Sequence, residues 1–398
     1  MPRRLVYLVT EDWAFYRHRL PMARAARDAG YEVHVISRIV ERRREIEREG
    51  FHAHHIDWRR GSVSVQATLE SAREIRRLLV AIKPAVLHNV ALKPAVVGSL
   101  AAVGIGDLAV VSSINGLGSA FIGTSAKGRL VSLGLRVVLP LLLNGTRCRT
   151  IVQNPEDAAA MHALGVRAGH IVLIPGSGVD TDALQPLPDP PPPLRAAFVG
   201  RMLEDKGVRP LVEAFRLLRR DGLAIELLLA GEPDPENPTS ITAAELAAWS
   251  AEPGITWAGH VEDIADVWAR SHIAVLPSRR EGLPKSLLEA AAFARAMVAT
   301  DAPGCREIVV HGETGLLVPV DDATALAAAL RQLARDEPRR LAMARNARRL
   351  VEERMSARDI GRQTIAVYDA VAFGASPPAQ ANDATVRLMP SSKDTSGA

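Results

Sequence analysis

Short apolar runs alternate with longer segments of helical period along the first half of the chain. Runs of strand length cover Arg4–Val9, Glu32–Ile36, His52–Ile56, Ala85–Asn89, Ala109–Ile114 and Thr150–Gln153. Between them, helix-like patterns cover Pro21–Ala29, Glu41–Glu49, Val65–Ala81, Ala95–Val103 and Ala126–Leu143. Strand and helix in alternation build βαβ units, and right-handed crossovers place the helices on both faces of a parallel sheet.

The pattern stops at Gln185–Pro193, a stretch dominated by proline. Proline removes backbone donors and fixes φ, so this reads as a stiff, extended linker. The alternation then restarts. Strands are expected at Ala196–Val199, Glu226–Ala230, Ile255–Ala258, Ile273–Leu276, Met297–Thr300 and Gly315–Pro319. Helices are expected at Val208–Arg220, Ala243–Ala251, Asp263–Arg270, Ser286–Ala294, Ala323–Arg335 and Pro338–Glu353. The chain thus predicts two doubly wound α/β domains, 1–185 and 195–356, joined by a linker at 186–194. A last helix, about 357–373, is a candidate to pack back on the first domain. Residues 374–398 are rich in Ser, Pro, Ala and Asp and are expected to form a disordered tail.

Composition narrows the class. Of 398 residues, 47% are hydrophobic and 24% charged, which is ordinary for a globular protein. The only cysteines, Cys148 and Cys305, are too few for a disulfide framework or a thiolate metal site. Met1–Arg4 leads straight into a strand-length run with no secretory pattern, and no stretch has the roughly 20 apolar residues needed to span a bilayer. A cytoplasmic protein is expected. Charge is uneven: residues 1–190 carry 24 Lys/Arg against 17 Asp/Glu, and residues 191–398 carry 25 against 28. A basic amino half favours a polyanionic partner, such as an anionic lipid surface or a pyrophosphate-bearing acceptor. With no aromatic-rich nucleic-acid motif, nucleic acid is not expected as a partner.

Three segments of the second half carry candidate chemistry. Phe198–Gly207 follows the first strand of that half and precedes a helix, where ligands of open α/β sheets bind. In it, Arg201 offers a planar fork and Lys206 a point cation to phosphate oxygens, while Gly200 and Gly207 permit close approach and sharp turns. Leu276–Ala290 follows another strand. Pro284 suits the first helical turn, so the amides of Lys285 and Ser286 form an anion-binding helix start. Glu281 just before that helix and Glu289 one turn inside it could accept hydrogen bonds from hydroxyls of a ribose and a sugar. The third segment, Trp257–Asp263 with Val261 in its turn, could offer backbone groups to a base; a plain strand–helix turn accounts for it equally well.

The set Gly200-Arg201…Lys206-Gly207 with Glu281, seven residues and Glu289 resembles the signature of the family 4 retaining glycosyltransferases. The resemblance runs from residue 3 to about 372. It implies the GT-B fold, two Rossmann-like domains facing each other across a cleft. It also implies a UDP-type nucleotide sugar as co-substrate, with Arg201 and Lys206 on the donor diphosphate, Glu289 on the ribose and Glu281 on the donor sugar near the reacting carbon. Backbone at Gly282 and Leu283 would approach the sugar and phosphate. The amino domain is similar to those family members that extend polyprenyl-diphosphate-linked oligosaccharides. Thr10–Leu20, His88–Pro94 and Ile114–Gly118 carry that likeness. It nominates Trp13, Arg17, His18, His88, Lys93 and Asn115 as acceptor-side residues. For His18 and His88 taken singly, a satisfied structural histidine is the commoner outcome. Many family members have a glycine-rich first loop and a histidine after the fifth strand; here the loop is bulky and Asn115 stands near that histidine's place.

Such a set suits sugar transfer. Cleaving a sugar–phosphate bond leaves charge on the diphosphate, and fixed cations with helix amides stabilise it. Arg201, Lys206 and Glu281 are the expected catalytic residues, with no metal and no cofactor. The resemblance implies retention, and same-face attack assisted by the leaving phosphate is favoured because no covalent nucleophile stands out. The alternatives are a sugar-nucleotide epimerase of the same fold and a transferase with a soluble acceptor. Lys127–Leu143, apolar with Arg129 and Arg136 two turns apart, reads equally as an interfacial or a buried core helix.

Overall fold

A computed structural model describes residues 3–58, 65–114 and 126–375. The chain divides into two compact units. One comprises the chain up to Ser177 together with the chain from Arg358 onward, and the other Gly178–Ala357.

The first unit is built in order from β1 (Arg3–Glu11), α1 (Asp12–His18), α2 (Leu20–Asp28), β2 (Tyr31–Arg38), α3 (Arg43–Arg48), β3 (His52–His55), α4 (Val65–Ile82), β4 (Val86–Val90), α5 (Leu92–Ala102), β5 (Ala109–Ile114), α6 (Ala126–Leu143), β6 (Cys148–Val152), α7 (Pro155–Ala163) and β7 (Ile171–Leu173). Its seven strands run in the order β3-β2-β1-β4-β5-β6-β7, with parallel pairing throughout. Strands covered on both faces read as unbroken apolar runs. Leu5–Val9 is such a run, each residue 0–2% exposed.

The second unit contains β8 (Leu194–Val199), α8 (Val208–Arg220), β9 (Ile225–Ala230), α9 (Ala243–Ser250), β10 (Ile255–Gly259), α10 (Ile264–Ala269), β11 (Ile273–Leu276), α11 (Lys285–Ala292), β12 (Ala296–Thr300), β13 (Gly315–Val318), α12 (Ala323–Arg335) and α13 (Glu337–Arg354). Its six strands run β10-β9-β8-β11-β12-β13, all parallel. Helix α8 shows why the helical pattern was legible. Val208, Leu211, Val212, Phe215 and Leu218 repeat on one face and are buried. Arg209 and Arg216 on the other face form fork-to-fork pairs with Glu245 and Glu252.

The last helix, α14 (Ala357–Phe373), belongs to the first unit. Ile360, Val367, Tyr368 and Val371 enter its core beside Tyr7, Phe15 and Tyr31. The expected disordered tail falls almost wholly outside the described residues.

Two expectations need correction. The proline-rich stretch does not separate the two units: the division falls after Ser177, and the prolines strap the second unit. Leu187 N–H donates to Phe293 O at 3.2 Å. Arg295 Nη1 and Nη2 donate to Leu187 O and Pro188 O, and Arg340 pairs with Asp189 at 2.8 Å. Proline lacks a donor but keeps its carbonyl, and the buried Arg295 guanidinium uses that of Pro188. The helix expected at 41–49 starts only at Arg43. The Asp12 carboxylate accepts from Val40, Glu41 and Arg42 N–H at 2.8, 3.0 and 3.0 Å, holding them as a turn. Burial opposes ionisation of Asp12, but these bonds and one from Trp13 N–H outweigh it, so its pKa is lowered. Helices α1 and α7 and strand β7 were not anticipated.

A buried polar network crosses the first unit. His88 is 0% exposed. Its Nδ1 lies 2.5 Å from the Tyr368 hydroxyl and its Nε2 2.7 Å from Ser113 Oγ, while the Tyr7 and Tyr368 hydroxyls are 3.0 Å apart. Burial, reinforced by the Arg19 guanidinium, pushes the His88 pKa well below 6.5. The folded state therefore keeps His88 neutral, while the unfolded chain takes up its proton below about pH 6.5. Unfolded chains bind more protons in that range, so stability should fall as pH drops through it. Urea unfolding at pH 7.5 and 5.5 should show a lower midpoint in acid, and His88→Gln should flatten that dependence. Equal slopes in both proteins would remove His88 as the cause.

Candidate functional site

In the second unit the strand order reverses between β8 and β11, which pair through Ile273↔Ala196 and Ala274↔Ala197. A crevice at the carboxyl ends of two such strands is where doubly wound folds bind ligands. Both main segments singled out in the sequence emerge there, Gly200–Gly207 after β8 and Pro277–Pro284 after β11.

Backbone locks the two loops together. Arg279 N–H donates to Asp205 O at 2.9 Å. Gly207 takes the left-handed conformation, φ 72°, and a Cβ there would stand 2.0 Å from Pro277 O. No residue with a side chain fits without moving main chain. Gly207→Ala should add about 1–3 kcal/mol of backbone strain plus the cost of separating the loops. Its melting temperature in calorimetry should fall by several degrees, with weakened UDP binding. An unchanged melting point would show that the loops do not press together here.

The charged groups meet as well. Lys206 Nζ lies 2.5 Å from Glu281 Oε1, and the same oxygen accepts from Ser278 Oγ at 2.6 Å. Glu281 N–H donates to Pro303 O at 3.0 Å. Arg201 is directed to Asp234 at 2.6 Å, and Lys285 Nζ lies 3.4 Å from the buried Glu289. Cys305 reports the local field: burial, and next the Glu281 carboxylate, push its thiol up to about 12. It is no nucleophile. Pro284 is the N-cap of α11 rather than its first helical residue, and it brings no capping side chain, so the helix start is left to the Lys285 and Ser286 region.

The third segment is less engaged. Trp257 Nε1 donates to Gly231 O at 2.8 Å, tying β10 to the end of β9. Val261 packs partly buried against the core. Gly200, singled out for close approach, would meet only the Phe198 ring, at 3.3 Å. The tight position is Gly231, φ 137°, where a Cβ would stand 1.9 Å from Gly200 O.

In the first unit the order reverses between β1 and β4. Trp13 and Arg17, both exposed, and His18, half-buried, lie on α1 just after β1. Lys93 lies in the first turn of α5 after β4, 5.4 Å from the centre of the Trp58 ring. Ala91, which starts that helix, has φ 80°, a strained value for a residue with a Cβ. A cavity of about 390 Å³ runs beside Lys93, Trp58, Asp57, Thr68 and Ser71. Asn115 lies outside the described residues. His88 is not at the surface: both its nitrogens are occupied in the core, which rules out direct acceptor contact in this arrangement. Arg19 is likewise 2% exposed.

Residues 4–144 match the family model described as glycosyl transferase 4-like, and residues 193–336 match glycosyl transferases group 1. The two cover most of the chain in the order of its two units. The chain belongs to the family 4 glycosyltransferases. This glycosyltransferase is 26% identical over 359 residues to the N,N'-diacetylbacillosaminyl-diphospho-undecaprenol alpha-1,3-N-acetylgalactosaminyltransferase of Campylobacter jejuni, covering 86% of this chain and 93% of that protein. It is 30% identical to the capsular polysaccharide biosynthesis glycosyltransferase CapM of Staphylococcus aureus, a match spanning 43% of this chain and only 45% of that relative. Among solved structures it resembles a sucrose-phosphate synthase from Thermosynechococcus elongatus, with TM-score 0.77, 19% identity and coverage of 94% and 100%. It also resembles Anabaena HepE crystallised with UDP and glucose, with TM-score 0.70, 16% identity and coverage of 91% and 98%. The fold of the glycosyltransferase is GT-B.

Several residues of this glycosyltransferase site escaped the sequence. Ser278, Asp234 and Gly231 carry no motif of their own. Arg279, which reaches Asp321 at 2.9 Å, reads in sequence as one of two adjacent arginines. Only the proximity of β9 and β13 to the two loops gives them a part.

Proposed function

We propose that this glycosyltransferase moves a hexose or N-acetylhexosamine from a UDP-linked donor, with retention, to a saccharide carried on a lipid diphosphate. The observation that carries the donor half is the meeting of Lys206 with Glu281 at 2.5 Å, at the reversal of strand order. Lys206, Arg201 and the start of α11 would hold the diphosphate and take up charge as the sugar leaves. Glu289 would accept from the ribose. Glu281, kept in place by Ser278, would face the sugar, whose anomeric carbon turns oxocarbenium-like. The acceptor hydroxyl would attack from the face the phosphate leaves and pass its proton to that phosphate. Glu281, already engaged by Lys206 and Ser278, is assigned to charge stabilisation and not to covalent attack.

The acceptor half is supported by the Campylobacter relative, whose name specifies a diphospho-undecaprenol acceptor. Trp13, Arg17, His18 and Lys93 at the carboxyl ends of β1 and β4 are the residues proposed to meet it. Helix α6 supports membrane contact. Leu133, Val137 and Leu141, one turn apart, are 62, 59 and 78% exposed, while Leu139 and Leu143 on another face are buried. Exposed Arg136 lies beside the apolar stripe. Such a helix would suit a membrane interface; no helix among the described residues is long and apolar enough to cross a membrane.

Flotation should show binding to anionic liposomes that is lost in high salt, at about 1 kcal/mol per well-placed basic residue. Leu133→Glu with Leu141→Glu should abolish it, and Arg136→Glu should weaken it. No binding to either anionic or neutral vesicles would remove the membrane claim and leave the donor chemistry intact. The function itself is tested by offering UDP-sugars with extracted lipid-linked saccharides and reading products by mass spectrometry. A donor sugar altered without any acceptor would point instead to an epimerase.

A further inference from the structure

The edge of the first unit's sheet gathers histidines that the transfer reaction does not use. His34 of β2 stands opposite His52 of β3 in register, and His54 follows opposite Ile36. Glu32, two residues before His34, shares its face. The resulting cluster is compact: ligand atoms of Glu32, His34 and His52 lie within 4.8 Å of one another. Glu32 Oε1 is 3.2 Å from His34 Nε2 and 3.6 Å from His52 Nε2. A tetrahedral ion about 2.0–2.1 Å from each ligand holds those atoms roughly 3.4 Å apart. Both distances from Glu32 are already close to that spacing, and the two imidazoles lie within 4.8 Å of each other, so modest side-chain rotations would close a coordination site.

We propose that Glu32, His34 and His52 bind a divalent ion of the zinc type, which clips the edge strand β3 to β2. The surroundings suit such an ion. Arg4 Nε donates to Glu32 Oε2 at 3.1 Å and Arg4 Nη1 to Ile82 O at 2.9 Å. That grip turns Oε1, not Oε2, toward the imidazoles. His34 Nδ1 lies 3.0 Å from His54 Nε2. With Nε2 on the metal, His34 carries its proton on Nδ1 and donates it to His54, the outer partner that fixes a ligating ring. His34 is buried and His52 exposed, so the site opens to water on one side and a solvent molecule completes the tetrahedron. Two imidazoles with one carboxylate favour a borderline ion over Mg²⁺ or Ca²⁺, which demand more oxygen ligands. Arg4 acts the same way, since it neutralises the charge that a hard cation would need. The ion belongs to the first unit alone and takes no part in sugar transfer, whose donor residues all lie in the second.

The full chain, stripped with EDTA and dialysed, is titrated with ZnCl₂ in a calorimeter. One ion per chain is expected, together with a melting temperature that rises with Zn²⁺ and a Co²⁺ derivative with the intense visible bands of tetrahedral cobalt. His52→Asn, at an exposed position that folding tolerates, should weaken binding at least tenfold. His54→Asn should weaken it about 10–100-fold through loss of ring orientation. His55→Asn, on the opposite face of β3 where His55 accepts from Ile39 N–H at 3.1 Å, should bind as the parent does. Absence of one-to-one binding, an octahedral cobalt spectrum, or His52→Asn binding as tightly as the parent would each overturn the site.

Discussion

Glu281→Gln should lower turnover by about two to three orders of magnitude, the usual effect of losing one preorganised charge aimed at the transition state. UDP affinity should change far less. The carboxylate stands at the sugar end of the proposed donor site, between Lys206 Nζ at 2.5 Å and Ser278 Oγ at 2.6 Å. Its side chain is only 11% exposed, so its charge acts with little screening from water. The glutamine keeps the shape and can still accept from Ser278, but it cannot stabilise positive charge at the anomeric carbon. Steady-state kinetics with the natural donor, beside calorimetry with UDP, separate the two effects. Full turnover in Glu281→Gln would show that this carboxylate does not face the reacting sugar.

Lys206→Ala should weaken UDP binding by roughly 1.5–3 kcal/mol, the range for a hydrogen bond to a charged group. That is about ten- to a hundredfold in affinity. The loss has two sources. The diphosphate loses a cation, and the nearby Glu281 carboxylate is left without its neutralising partner. Arg201→Ala should cost less, because its guanidinium is 47% exposed and screened by water, and Asp234 already offsets its charge. Glu289→Ala should also cost binding, through the ribose. Because Lys206 and Glu281 share one contact, the double variant should fall short of the sum of the singles. Calorimetry on the four proteins measures that coupling. Unchanged UDP affinity in both Lys206→Ala and Arg201→Ala would unseat the diphosphate assignment, and additive effects would show that the pair is not coupled in the bound state.

The two units, their alternation of strand and helix, and the donor loops were open to reading in the chain itself. Burial on both sheet faces demands apolar runs such as Leu5–Val9, and one-sided burial demands a 3.6-residue period such as that of Val208–Arg220. Both are local patterns, and so is the spacing of Arg201 from Lys206 and of Glu281 from Glu289. Partners distant in sequence were not open to such reading. Nothing near Glu281 announces that Lys206, 75 residues earlier, will neutralise it. Asp12 clamping a turn 28 to 30 residues later, or Arg340 holding the proline strap through Asp189, is equally hidden. His88 illustrates the limit most plainly. In sequence it falls near the end of the strand-length run Ala85–Asn89 and shares a family-like motif with Lys93, yet a helix 280 residues away delivers Tyr368 to its ring and closes it into the core. Local pattern determines which segments are strands, helices and turns, because burial and backbone geometry act over a few residues. Which charges neutralise each other, which histidines stay buried and which glycines admit no side chain depend on contacts that exist only after the strands are ordered into sheets.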